Sequence, residues 1–467
     1  MAKKTQDGES RLFLFLESVV VMSLLAFSLA SCNVPTDSFP EASSPEAPVS
    51  ARSQVELAEL EVQPEPSAPI LSRNGYAGKA IVCPFPQHTS YVVNAILPDH
   101  RTREQLDTDT VRAYEDWKSA YLVEVPVESG ASLYRVAFSA AQPDRTVSEG
   151  IGYGMMIAVS MAGHDPAARQ YFDGLWRFAR QHPSSIDSRL TAWQVPENPA
   201  GDANAFDGDA DMALALLMAD KQWGSDGAVD YGNEAVRVIT ALRESAIGPD
   251  SALPMLGDWV DPEGERHNQF TPRSSDFMLA NFRAFSNVDA HWLPVIDASL
   301  SVIQEMQRDY SAETGLLPDF IEHDSLLKRF RPAQPGFLEG AHDGQYYYNA
   351  GRVPLRVAVD VLTSGDPTSL AIAGRLAKFA VKAIGDDPAA MGAGFALDGS
   401  AIGNYFTSFF ASPLAVALMT QPQYQQQLNT LYDAIYQRRE GYYEDSITLL
   451  SLLVLSGNFW SIDQNCG

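Results

Sequence analysis

The residues able to do chemistry in this chain fall in short clusters, most of which set carboxylates beside aromatic or basic side chains. Ser148-Glu149-Gly150-Ile151-Gly152-Tyr153-Gly154-Met155 joins one carboxylate to a tyrosine and three glycines. Asp207-Gly208-Asp209-Ala210-Asp211 supplies three more carboxylates, and Arg273-Ser274-Ser275-Asp276 a further one beside a cation. Tyr346-Tyr347-Tyr348-Asn349-Ala350-Gly351-Arg352 is an aromatic run ending in a guanidinium, and Trp193, Trp223 and Trp259 lie nearby. Paired carboxylates in an aromatic-lined cleft suit hydrolysis of a sugar polymer, one protonating the leaving oxygen while the other acts on the opposite face. Each residue also has a structural reading. Asp209 and Asp211, taken singly, are expected to cap a helix, since Asp is favoured there and complements the dipole. Trp223 follows an apolar helix face and is expected to pack in the core. Gly150-x-Gly152-x-Gly154 has neither the spacing nor the preceding strand of a dinucleotide fingerprint. Its glycines fit close helix packing or backbone approach to a ligand. There is no G-x-S-x-G elbow, P-loop or H-E-x-x-H motif, and the scattered histidines lack ligand spacing, so neither a metal nor a cofactor is expected.

Positioning these clusters falls to helices. Beyond residue 75 the apolar periodicity is mostly helical, with no run of alternating strands. The candidates are 107–121, 148–162, 166–181, 207–222, 230–246, 274–286, 291–309, 348–363, 367–384, 402–419, 422–439 and 442–457. Ser148, Asp165 before Pro166, Asp366 before Pro367 and Pro422 read as helix starts. Tight turns alternate with long connections at 182–206, 247–273, 310–347 and 385–401. Six helical hairpins in a ring, an all-α (α/α)6 barrel, satisfy that alternation. Alternate helices then run the same way, and the four clusters, all at first turns, converge on one mouth beneath the long loops.

These blocks also carry a family resemblance. Ala205-Phe206-Asp207-Gly208-Asp209-Ala210-Asp211-Met212-Ala213-Leu214-Ala215, continuing to Lys221-Gln222-Trp223-Gly224, resembles the signature of glycoside hydrolase family 8. The block around Glu149, Trp193-Gln194, Pro318-Asp319-Phe320 and Tyr348-Asn349-Ala350-x-Arg352-x-Pro354 resemble the same family. The resemblance implies an (α/α)6 barrel and inverting hydrolysis of β-linked glucan, chitosan or xylan. It implies Glu149 as general acid and Asp207 as the central carboxylate holding the sugar at the cleavage point. Many members carry Asp, the base, where this chain has Asn349, which cannot take a proton from water. One branch has this Asn and draws a Glu from the preceding loop, which here offers Glu322, Asp324, Glu339 and Asp343. Phe337-Leu338-Glu339-Gly340-Ala341-His342-Asp343-Gly344 resembles that branch's loop, which makes Glu339 the expected base and Glu322 the runner-up, with Asp319 structural. Tyr153, Trp193, Gln194, Arg273, Asp276, Tyr348, Asn349 and Arg352 are the expected substrate-binding residues, Asp276 with the capacity to hold a cationic amine.

Other features bear on location. Lys3, Lys4 and Arg11 precede an apolar run, Leu12 to Leu29, that ends in Leu29-Ala30-Ser31-Cys32. This describes an export signal over 1–32, and the tetrapeptide resembles a bacterial lipobox, which implies acylation of Cys32 and a lipid anchor in the cell envelope, at the outer membrane or cell surface. Residues 33–74, rich in Pro, Glu and Ser, cannot offset their ordering entropy and read as a tether; 75–467 is the catalytic domain. Cys83 and Cys466 can pair in an exported protein or remain two buried thiols. The chain's 33 Lys and Arg face 59 Asp and Glu, a net charge of −26, which argues against nucleic acid as a partner. The expected protein is a monomeric endo-acting β-1,4-glucanase. Chitosan and mixed-linkage β-1,3-1,4-glucan are alternative substrates, and a surface sugar-binding lipoprotein without activity is the rival suggested by Asn349.

Overall fold

The computed structural model describes residues 81–467, apart from 93, 129, 197–200, 465 and 467. The expected signal with Cys32, and the tether, lie outside the described residues. In chain order the helices begin with α1 (Arg103–Tyr121), α2 (Ser148–Ser160), α3 (Ala168–Gln181) and α4 (Phe206–Trp223). They continue with α5 (Tyr231–Ser245), α6 (Leu279–Ser286), α7 (Leu293–Asp309) and α8 (Val353–Ser364). Last come α9 (Pro367–Ile384), α10 (Ser408–Leu418), α11 (Gln425–Ile435) and α12 (Tyr442–Leu455). The even-numbered helices pack in sequence, α2 on α4, α4 on α6, α6 on α8, α8 on α10 and α10 on α12, and α12 closes the ring on α2. The odd-numbered helices lie outside, each against an even-numbered one. This is the (α/α)6 barrel. α10 is buried at every position and α2 and α12 at nearly every one, as enclosed helices must be, whereas α3 and α9 bury one stripe.

Glycines let the inner ring close tightly where the clusters lie. A Cβ on Gly208 would come within 2.7 Å of the Ser148 carbonyl carbon, and one on Gly152 within 3.0 Å of the Gly208 oxygen. α2 and α4 therefore meet backbone to backbone, which sets their first turns side by side.

The long loops hold what the periodicity did not disclose. Short antiparallel ribbons form from β1 (Leu122–Val125) with β2 (Leu133–Val136), and β3 (Thr146–Val147) with β4 (Gln194–Val195). Two more pair β5 (Ile321–Asp324) with β6 (Arg329–Pro332), and β7 (Ala393–Phe395) with β8 (Ala401–Gly403). The β3–β4 pair and the single bridges Arg273–Phe320 and Tyr346–Phe395 join neighbouring loops around the mouth. Several helix boundaries also differ from expectation: α1 starts at Arg103 rather than 107, α8 at Val353 rather than 348, and α11 ends at Ile435 rather than 439. The segment 274–286 opens as a 3-10 turn, Ser274–Asp276, before α6, and β8 delays the expected 402 start to Ser408. Capping by Asp209 and Asp211 is corrected: the residue before α4 is Ala205, no side chain caps it, and both carboxylates have other partners. α2 starts at Ser148 as expected, with Val147 before it, and Asp165 accepts from the Ala167 amide ahead of α3. Trp223 is buried against Phe172 and Tyr231, as its core reading required.

Cys83 and Cys466 are joined in a disulfide across 383 residues of sequence, with Cα atoms 5.1 Å apart. The fully buried Gln222 fixes this end from α4, accepting from the Cys83 amide at 2.6 Å and donating to its carbonyl at 2.8 Å.

Candidate active site

Arg352, at 1% side-chain exposure, is the hub of the mouth. It ends a 3-10 turn, Ala350–Arg352, that runs directly into α8. Its Nη1 donates to Glu149 Oε2 and to Asp207 Oδ2, each at 2.6 Å, and to the Tyr153 hydroxyl at 3.2 Å. Its Nη2 donates to Ser275 Oγ at 2.9 Å and to Asn349 Oδ1 at 3.2 Å. One guanidinium thus gathers the first turns of α2 and α4, the turn before α6 and the turn before α8.

Asn349 extends the network outward. Its amide donates to Glu339 Oε2 at 2.8 Å and lies 3.4 Å from Asp319 Oδ2. Arg273 stands between carboxylates, 3.7 Å from Asp207 and 3.8 Å from Glu339. Glu339 rides a loop organised by Asp343, whose carboxylate accepts from the amides of Leu338 at 2.7 Å, Glu339 at 3.1 Å and Gly340 at 2.9 Å. Asp319 does the same for the aromatic turn, accepting at Oδ1 from the amides of Tyr347, Asn349 and Ala350.

Burial and charge set the carboxylates apart. Burial raises Glu149 to about 7, with nearby Asp207 adding to the rise and Arg352 opposing it. Burial also works against the charge on Asp207, but Arg352 and Arg273 outweigh it and hold that carboxyl below its ordinary value. Glu339 is raised by burial, against the pull of Arg273 and the Asn349 amide. The opposed shifts of Glu149 and Asp207 set a carboxyl that keeps its proton beside one held as the anion.

The family model for glycosyl hydrolases family 8 matches residues 101–457. The chain belongs to glycoside hydrolase family 8. It is similar to a beta-glucanase of Niallia circulans, 38% identical over 384 residues, covering 81% of this chain and 91% of that protein. An endoglucanase of Bacillus sp. strain KSM-330 is 36% identical over 81% of each. Among solved structures, a beta-1,3-1,4-glucanase from Paenibacillus sp. X4 superposes with a TM-score of 0.77 at 38% identity, covering 82% of this chain and all of that one.

In this family 8 hydrolase the expected residues Glu149, Tyr153, Asp207, Arg273, Glu339, Asn349 and Arg352 come together in one network. Glu322 does not join them; it sits on β5 and accepts from the Gln334 amide at 2.8 Å. Asp324 closes the β5–β6 turn through the amides of Leu326 and Leu327. Asp276 has no exposed surface in this structure, and burial raises its carboxyl to about 7. It lies close enough to Arg273 for that guanidinium to oppose the rise. Trp193 and Gln194 line the β3–β4 staple at the rim, half-buried, with the Trp193 carbonyl accepting from the Ser148 amide at 2.9 Å. Tyr348 stacks on Phe409 at 5.1 Å and shares a 3.0 Å hydroxyl contact with Tyr405.

Two tyrosines of the site were not singled out in advance. Tyr442 donates its hydroxyl to Glu149 Oε1 at 3.3 Å, and a Cβ on Gly150 would fall 2.6 Å from that hydroxyl. Tyr443 donates to the Tyr348 carbonyl at 2.7 Å and places its ring 5.8 Å from the Arg352 guanidinium. Both open α12, an even-numbered helix, so continuing the alternation past α8 to the last expected helix would have pointed to them.

Proposed function

We propose that this family 8 hydrolase is an inverting endo-β-glucanase, with Glu149 as general acid, Glu339 as general base and Asp207 as the carboxylate holding the sugar at the point of cleavage. One observation carries the reading. Glu149 and Glu339 bind opposite ends of an Arg352–Asn349 bridge, the first on the guanidinium and the second on the amide. Inversion needs room for a water between the two carboxyls, and interposed side chains suit that better than direct contact. A first-turn glutamate feels the positive end of its helix dipole, which favours the anion; at Glu149 burial prevails and keeps a proton available near neutrality. Asn349 cannot act as the base, yet it donates to Glu339, whereas an aspartate there would add a third carboxylate beside Asp319 and Glu339. This supports membership of the branch that takes its base from the loop, and it weighs against a merely sugar-binding protein.

The names of the relatives support β-glucan as the substrate, of the β-1,4 or mixed β-1,3-1,4 type. The chitosan alternative draws on Asp276, which is fully buried, and on the net charge of −26. Export and a lipid anchor at Cys32 complete the proposal; the Cys83–Cys466 bond supports export, because structural disulfides persist in oxidising compartments. The test is reducing-sugar release from carboxymethyl cellulose, lichenan and chitosan, side by side, for the parent and Glu339→Gln. Release from the glucans, abolished in the variant with polymer binding retained, is the expected result. Release from chitosan alone overturns the substrate, and near-normal turnover in the variant moves the base to Glu322.

A further inference from the structure

The β5–β6 ribbon ends in a turn unlike the rest of the surface. Leu326 is 93% exposed and Leu327 60% exposed, the two most exposed large apolar residues among the described ones. Lys328 and Arg329 follow immediately, both exposed, whereas Arg331 is part-buried opposite Glu322 and Asp324 faces Arg329 across the ribbon. The tip is rigidly built. Asp324 Oδ1 accepts from the amides of Leu326 at 3.0 Å and Leu327 at 2.9 Å, which fixes the backbone carrying both leucines. The Phe330 amide donates to Glu305 of α7 at 2.9 Å, and His323 packs between the rings of Phe270 and Phe330. Lys328 closes the turn at φ 49°, a left-handed conformation ordinarily given to Gly or Asn. A turn made only to reverse the chain has no need of lysine there, or of two leucines facing water.

We propose that this tip docks on an anionic lipid bilayer, the leucines entering the interface and Lys328 and Arg329 meeting lipid phosphates. Apolar side chains beside basic ones are the composition that binds such interfaces. A protein partner fits less well: stable interfaces bury on the order of 1,200 Å² or more, which a tip two leucines wide does not supply. Sugar polymers are gripped by flat aromatic faces, and the tip offers none.

The test places an environment-sensitive dye on Ser325→Cys in the full chain with Cys32→Ser, so that the dye reports the tip whatever the N-terminal segment does. Adding phosphatidylglycerol-containing vesicles should shift the dye emission to the blue, with a much weaker response to pure phosphatidylcholine. Leu326→Ser with Leu327→Ser should raise the lipid concentration for half-response on the order of tenfold or more. Lys328→Glu with Arg329→Glu should remove the preference for the anionic lipid. Hydrolysis of a soluble glucan should be unchanged in every variant, which reports folding independently. No shift with anionic vesicles, or a shift indifferent to the leucines, overturns the proposal. A shift that appears without lipid as protein concentration rises also overturns it, in favour of contact between copies of the chain.

Discussion

Two guanidinium groups stand four residues apart where α8 begins, and they meet two aspartates four residues apart on α4. At the lower level Arg356 grips Asp211 with both terminal nitrogens, at 2.8 and 2.6 Å, and Asn281 adds a third donor at 3.1 Å. At the upper level a single nitrogen of Arg352 serves both Glu149 and Asp207, while its other nitrogen is shared with Ser275 and Asn349. The i, i+4 spacing makes the two levels repeats of one geometry, and they differ in stoichiometry. One cation per carboxylate leaves the lower pair neutral and closed. At the upper level Arg352 and Arg273 are shared among three carboxylates, Glu149, Asp207 and Glu339, and burial leaves Glu149 with a high proton affinity. The same parts give a brace in one place and a proton donor in the other.

That contrast predicts where substitutions cost rate and where they cost stability. The largest effect is expected from Glu149→Gln or Glu339→Gln, each lowering kcat roughly 10²–10⁴-fold with a nearly unchanged melting temperature, read by reducing-sugar release and calorimetry. A large fall in melting temperature would show that the upper level is a brace as well. Asp211→Ala should act in the opposite sense, leaving Arg356 buried and unpaired at a cost of about 3–5 kcal/mol in denaturant unfolding. Turnover per folded molecule should stay close to normal; its collapse would erase the distinction between levels.

Smaller effects sharpen the contrast. Asp207 raises Glu149, so Asp207→Asn should let Arg352 pull that carboxyl down from about 7. The proton is then lost sooner, and the alkaline limb of kcat/KM moves to lower pH, by about one pH unit, besides any loss of turnover. An unmoved limb would show that the two carboxyls do not communicate. Asp209 bears on stability rather than on rate. Burial raises it from 3.8 to about 7, so the stability it contributes is fully present below 3.8 and lost as pH rises through 7. Asp209→Asn should flatten the decline in unfolding free energy across that window by about 1.4 kcal/mol per pH unit, and an unaltered slope would refute the assignment.

Much of this was legible in the sequence, for a physical reason. Helical periodicity runs over long segments, and alternation of tight and long connections places Glu149, Asp207, Ser275 and Arg352 at one end before any contact is known. The roles of Asp209 and Asp211 were not legible, because an aspartate at a first turn looks like a cap whichever partner it has. Only the neighbouring loop and α8 reveal that Thr191 and Asn204 bind one, and Arg356 the other. The rim strands, two to four residues long, are too short to show a period. Asp276 reads as an open carboxylate because a sequence carries no record of depth.

The disulfide between the two ends of the barrel has a consequence of its own. By tying residue 83 to residue 466, it turns the barrel's chain into a covalent loop. A protease that nicks one exposed connection opens that loop without releasing a fragment, and the ring of helices holds the cut ends in register. Two cuts, or one cut and a reductant, are needed before any piece can leave. For an enzyme exported as proposed, among the secreted proteases of other cells, that is a second line of persistence, independent of how firmly its helices pack.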